Sequence, residues 1–265
     1  ISGSFIVFNY LSNYVDYYSS LKKLLSDDLD CHFFDSIDST NLFLSNRPYS
    51  KKTQICVTRQ QSDGRGQYGR KWVSQKDGSI LFSIRQNFIQ EENLSGLSLI
   101  IGLAIIKVLE NEYSYQGFKI KWPNDIYFKD SKLAGILLEN QIQSGIQSVV
   151  IGVGLNYNLG KNFNCDSPWI DLSKMQQKIP DIQQLIAKLI NNILLSIDNF
   201  RNQGLMDLEL EWDQYDMLNG CKLKISQSDE IVEGIATGIN DKGGLKVLTK
   251  NGVQELYSSK HIEFI

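Results

Sequence analysis

Histidine is nearly missing from this chain: His32 and His261 are the two present, too few for a His-based metal centre or a Ser-His-Asp triad. The four cysteines, Cys31, Cys56, Cys165 and Cys221, include no CxxC pair. Neither a zinc knuckle nor a disulfide framework is therefore indicated, and the thiols read as reduced in a cytoplasmic protein. There is no basic excess either. Lys and Arg number 27 against 30 Asp and Glu, a net charge of −3, which argues against a dedicated nucleic-acid binder. No apolar run reaches the about 20 residues of a membrane helix. The longest, Leu97–Leu109, reads as a buried helix with Ser95 as its N-cap. The beginning, ISGSFIVFNY, lacks the charged start and small-residue cleavage site of a signal peptide. It opens on Ile rather than Met, and residues 1–4 are given no place in the fold.

What is there is enough apolar side chain, 42% of 265 residues, for a sizeable core. Leu11, Tyr14, Val15, Tyr18 and Leu25 share one stripe and predict an amphipathic helix over 11–26. CHFFDSI reads as a strand, and DSTNLFL as a helix start capped by Asp38 or Ser39. QICVTRQ and SILFSIRQNF are strands, the second turning Ile80, Phe82 and Ile84 inward. After the 97–112 helix, FKIKW, DIYFKD, KLAGILLENQ and QSVVIGVGLNYN are strand-like runs with short turns that favour antiparallel pairing. Helical period returns over 181–202 and 205–217, and four short β runs follow Leu218. The fold class expected is α+β: a mostly antiparallel or mixed sheet backed by helices, plus a small C-terminal all-β barrel. The divisions expected are a helical lead-in over 1–30, a main domain over 31–217 and the β-domain over 218–265.

Two stretches carry chemistry. In Gly64-Arg65-Gly66-Gln67-Tyr68-Gly69-Arg70-Lys71-Trp72, glycines admit close backbone approach and the cations suit an anion. It is neither a GxxxxGK[ST] phosphate loop nor a GxGxxG turn opening a helix. Alone, it is equally a solvated turn. In Lys121-Trp122-Pro123-Asn124-Asp125, followed by Lys132-Leu133-Ala134-Gly135, a lysine enters a very apolar strand. An ammonium placed there needs an anionic partner unless it snorkels to water.

Taken in order, DSTN, QxxGRGxxGRxW, KWPND, KLAGILLE, GVGLNYN and the closing GIATGINDKGGLKV resemble the biotin protein ligases over residues 31–265. The resemblance implies a class II synthetase-like core and two steps. Biotin's carboxylate attacks the α-phosphate of ATP, giving biotinyl-5′-AMP and pyrophosphate; a lysine of a biotin carboxyl carrier domain, as in acetyl-CoA carboxylase, then displaces AMP. It implies biotin contacts from Ser39, Thr40, Asn41, Gln61, Gly64, Arg65, Gly66, Gln67, Lys132 and Gly135. Adenylate contacts are implied for Arg65, Arg70, Trp72, Lys121, Asn124, Lys132 and Asn156. Lys132, Arg70 and Asp125 are the implied catalytic group, with Asp125 also a candidate Mg²⁺ ligand. Many relatives carry Arg where this chain has Gln67, which implies either looser retention of the adenylate or greater reliance on Arg65 and Arg70. The same core serves lipoate and octanoate enzymes, but KWPND with KLAGIL and the C-terminal segment favours biotin. Some relatives also repress genes through an N-terminal winged helix, for which the lead-in shows too little helical pattern. An open sheet edge is expected to receive the carrier domain or a second copy of the chain.

Overall fold

The computed structural model describes residues 18–143, 145–176, 178–227 and 230–265. The expected N-terminal helix falls partly outside these residues, and its described part, α1, is helical over 18–24. A seven-stranded sheet has the order β1-β2-β3-β7-β6-β5-β4. Its strands are β1 (Asp30–Phe34), β2 (Gln54–Thr58), β3 (Ser79–Ile89), β4 (Phe118–Lys121), β5 (Asp125–Phe128), β6 (Ser131–Gln143) and β7 (Ile146–Asn156). β1 and β2 pair in parallel, and every other pair in this sheet is antiparallel. The short turns after β4, β5 and β6 make the hairpins that the sequence predicts.

Strand alternation gives this sheet two unlike faces. Ile55, Val57, Ile80, Phe82, Ile84, Ile151, Val153 and Leu155 point to one core, shared with α3 (Leu97–Tyr113) and α4 (Ile182–Gln203). α3 is buried along most of its length, as expected, but Ser95 does not cap it. The cap is Gly96, held at φ 80°, and no side chain supplies the first turn. Ser95 instead donates its backbone N–H to Asn93 Oδ1 at 2.9 Å, so the chain has already turned away. Among the described residues no helix is long and apolar enough to cross a membrane.

The opposite face carries small and polar residues in cross-strand rows. One row runs Thr58, Leu81, Gly154, Gly135, Asp125; the next Cys56, Ser83, Gly152, Leu137; the third Gln54, Arg85, Val150, Glu139. On these rows lies the short helix α2 (Thr40–Ser45), whose N-cap is Ser39. Leu44 of α2 packs on Cys56 and Val150 in a small separate core. α5 (Met206–Tyr215) covers the far edge, where Met217 donates to Ile120 O beside β4. The C-terminal β unit is a second antiparallel sheet, ordered β11-β10-β9-β8-β12. Its strands are β8 (Lys222–Gln227), β9 (Glu230–Ile239), β10 (Leu245–Thr249), β11 (Gly252–Leu256) and β12 (His261–Phe264). Trp122 ties it to the first sheet by donating Nε1–H to Gly243 O at 3.0 Å.

Candidate functional site

A pocket opens on the polar face, between α2, the 64–72 loop and the β5–β6 hairpin. Two glycines of β7 make room for it. A Cβ on Gly152 would lie 2.2 Å from Asn41 Oδ1, and one on Gly154 would lie 2.4 Å from the Trp72 ring. Any side chain there would expel the groups that line the floor. Trp72 thus lies across Gly154, and the Lys132 ammonium stands 5.5 Å from its ring centroid.

One end of the pocket is built of short hydroxyls and amides. Thr40 donates both its backbone N–H and its hydroxyl to Gln61 Oε1, at 2.8 and 3.0 Å. The buried Ser83 Oγ lies 2.7 Å from Thr40 Oγ1 and 2.6 Å from Asn41 Oδ1. Asn41 Nδ2 donates to Glu139 Oε2 at 2.8 Å, while Arg65 reaches Glu139 Oε1 at 3.3 Å. Glu139 therefore links α2 to the glycine-rich loop. Ser83 and Glu139 were not singled out in the sequence. The available signal was the second register of each strand, which places both on the face of Gly152 and Gly154.

The other end is ionic. Lys132 Nζ and Asp125 Oδ1 are 2.8 Å apart, with side chains 25% and 20% exposed. Asp125 is the anionic partner that an inward lysine requires. Asn124 lines the same end but spends its amide on Ile136 O at 2.6 Å, fixing the β5–β6 hairpin. Asn156 does similar work: its Nδ2 donates to Lys132 O at 3.2 Å and to Ile170 O at 3.0 Å. Its side chain therefore braces the backbone of Lys132 and does not line the pocket. Lys121 does not line it either. Its ammonium sits 5.6 Å from the Tyr127 ring centroid and 5.2 Å from that of Phe264. Burial pushes the Lys121 ammonium below its ordinary pKa, and the Asp125 charge opposes that.

Over the pocket the loop forms a tight hairpin. Gly66 donates to Arg70 O at 2.7 Å and Trp72 to Gly64 O at 2.9 Å. Its tip, Gln67–Gly69, is a 3₁₀ turn with Tyr68 at φ 55° and Gly69 at φ 73°. Arg65, Gln67, Arg70 and Lys71 line the cavity. Asp63 faces outward, 3.9 Å from the exposed Lys71 ammonium. The structure thus brings together Ser39, Thr40, Asn41, Gln61, Arg65, Gly66, Gln67, Arg70, Trp72, Asn124, Asp125, Lys132 and Gly135. Chemically, it is a slot with a hydrogen-bonding head, a flat aromatic floor, and a cationic mouth able to hold two anions at one point.

Comparison with known proteins gives a consistent answer. Residues 33–156 match the Biotin/lipoate A/B protein ligase family, and 221–262 match the Biotin protein ligase C terminal domain. The bifunctional ligase/repressor BirA of Escherichia coli is 32% identical over 222 residues, 82% of this chain and 68% of that protein. The biotin--[acetyl-CoA-carboxylase] ligase of Mycobacterium tuberculosis is 27% identical over 72% of this chain and 71% of its own length. The structure of biotin protein ligase from Aquifex aeolicus in complex with biotin and ATP superposes with a TM-score of 0.77. It covers 89% of this chain and 99% of that one at 26% identity.

Proposed function

The chain belongs to the biotin/lipoate A/B protein ligase family as a biotin protein ligase, and we propose that the pocket on the polar face performs both of its half-reactions. The enzyme joins biotin to protein with ATP. In the first step biotin's carboxylate attacks the α-phosphate, an anion meeting a polyanion, so cations at the meeting point lower the barrier. Lys132 is that cation. It leaves Asp125 for the biotin carboxylate and the α-phosphoryl oxygens as they come together. Arg70 approaches from the loop, and Arg65 and Gln67 fold over the adenylate. Trp72 offers its flat face to the adenine.

Biotin's ureido ring needs donors and an acceptor satisfied in a dry slot. Ser39, Thr40, Asn41 and Gln61 supply them. Gly66 and Gly135 line the pocket and allow the close approach; Gly64, expected beside them, lies outside that lining and makes room for the Trp72 carbonyl, 2.4 Å from where its Cβ would be. On the nucleotide side, Asn156 acts by bracing the backbone of Lys132, Asn124 by fixing the β5–β6 hairpin that carries Asp125 and Lys132, and Lys121 from the position paired with Asp125 across β4 and β5. Mg²⁺ enters as the companion of the ATP phosphates. Among the described residues no three His, Cys, Asp or Glu side chains could hold a metal ion together. Asp125, paired with Lys132 here, would be the carboxylate available to the ion once that ammonium has moved to the phosphates.

In the second step the ε-amine of a lysine attacks the mixed anhydride and AMP leaves. No enzyme nucleophile is needed, and water must be kept from the adenylate, the task of the closed loop. The acceptor proposed is a biotin carboxyl carrier domain. It docks by adding a strand to β6 beyond Gly135, where its pairing with β5 ends. A second copy of the chain would compete for the same edge. The main domain proposed is 31–217 with 218–265 as the β-domain, in a cytoplasmic enzyme.

The ion pair of Lys132 with Asp125 inside the glycine-floored pocket carries this reading. Its test is biotin-dependent exchange of pyrophosphate into ATP, followed by transfer to a carrier domain. Exchange with biotin and none with lipoic or octanoic acid is expected; exchange with those acids and not biotin would overturn it.

A further inference from the structure

Arg85 is 7% exposed and forms no ion pair with a carboxylate among the described residues. A guanidinium without a counter-ion in such a place is costly unless neutral acceptors surround it. Here they do. Nη1 donates to the carbonyls of Leu44, Arg47 and Pro48, at 3.1, 2.8 and 3.2 Å, and lies 3.3 Å from Gln54 Oε1. Nε donates to Ser148 Oγ at 2.6 Å. Three of the acceptors are carbonyls at the C-terminal end of α2 and in the turn after it; Leu44 O also accepts the Arg47 N–H at 3.1 Å, so the guanidinium joins the turn that closes the helix.

The strand that carries Arg85 also carries Ser83, two residues earlier and on the same face. Ser83 holds Thr40 and Asn41 at the other end of α2. β3 therefore grips this short helix at both ends. A helix of this length has little stability of its own, and its position is set by what holds it. Ser39, Thr40 and Asn41 reach the pocket only from that position.

We propose that Arg85 is a positioning residue for biotin, clamping the C-terminal end of α2 so that Ser39, Thr40 and Asn41 present a fixed set of donors and acceptors to the ureido ring. The inference rests on the reading of α2 as the biotin-binding element. It makes affinity for the vitamin, and not for the nucleotide, the property that a buried cation remote from the pocket controls.

The test compares Arg85→Met, Arg85→Lys and Asn41→Ala by calorimetric biotin binding, by KM for biotin and for ATP in the exchange assay, and by thermal melting. Arg85→Met is expected to weaken biotin binding about tenfold or more, the order expected for lost charged hydrogen bonds, with KM for ATP within about twofold. Arg85→Lys, which keeps the charge and reaches fewer carbonyls, is expected to fall between the two. Biotin affinity within twofold of native in a folded Arg85→Met enzyme would overturn the proposal, whatever happens to the melting temperature. So would equal losses for biotin and ATP. If Asn41→Ala also leaves biotin binding intact, the reading of α2 fails and takes the proposal with it; if only Asn41→Ala weakens it, the clamp alone is wrong. Should Arg85→Met not fold, Ser148→Ala and Gln54→Leu each remove one acceptor. A loss of severalfold in biotin affinity is then expected, and no loss in either would contradict the clamp.

Discussion

Replacing Lys132 by methionine keeps most of the side-chain volume beside Trp72 and removes one positive charge. The structure says what is left behind. Asp125, 2.8 Å from the lost ammonium and 20% exposed, becomes an unpaired carboxylate at the point where two further anions must meet. Two effects add. Losing a charged donor aimed at developing charge costs about 3–4 kcal/mol, or roughly 10²–10³ in the rate of adenylation. The uncovered Asp125 then repels each incoming anion by about 1 kcal/mol, the solvent-screened end of the Coulomb range. These effects separate in the double variant Lys132→Met/Asp125→Asn. Neutrality is restored there, so ATP binding is expected to recover by about fivefold over the single variant, while the chemical step stays slow. Single-turnover formation of biotinyl-adenylate, followed by pyrophosphate release, reads both. A Lys132→Met enzyme within threefold of native would refute the assignment. A double variant that binds ATP no better than the single one would refute the electrostatic argument for Asp125.

Gln67→Arg adds a cation to the part of the loop that lines the pocket. It is expected to slow adenylate release several-fold, about 1 kcal/mol for one partly exposed charge contact, as a trap experiment with carrier domain absent would show. An unchanged off-rate would remove any role for this departure from the relatives. Gly154→Ala puts a Cβ 2.4 Å from the Trp72 ring. Adenylation should fall at least tenfold with a lowered melting temperature, and a fully active Gly154→Ala enzyme would show that Trp72 is free to leave the floor. Acid titration follows from two carboxylates: the Gln54 amide holds Asp30 below its ordinary pKa, and the Lys76 ammonium does the same for Asp35. A depressed folded-state pKa stabilises the fold above the unfolded value of 3.8, and that stability is lost as pH falls through the lower folded value. Denaturant midpoints should therefore drop below about pH 4, and Asp35→Asn should flatten the drop; equal slopes in both proteins would contradict the pairing.

The sheet and its pocket were legible where local pattern and chemistry coincide. Ile80, Phe82 and Ile84 announce one face of β3, and that face packs on the helices as read. Lys132 entering an apolar strand demands an anion, and Asp125 is there. What the sequence hides is the other register of the same strands. Ser83, Arg85 and Glu139 each look like an ordinary polar residue. Their importance comes from cross-strand rows that form only when β2, β3, β7 and β6 lie side by side. Asn156 and Lys121 show the converse. Their residue types suit a phosphate site, but their side chains are turned to a backbone carbonyl and to aromatic rings by contacts distant in sequence. The Ser95 cap failed for a local reason, since Gly96 in a left-handed conformation starts α3 one residue later.

The most direct test is a crystal structure grown with biotin and a non-hydrolysable ATP analogue. The Lys132 ammonium should be found between the vitamin's carboxylate and the α-phosphate, parted from Asp125, with the 64–72 loop folded down and Arg70 on the phosphates. If that ammonium still rests on Asp125 while both ligands are bound, and Arg70 faces solvent, the charge-neutralising account of this pocket is wrong.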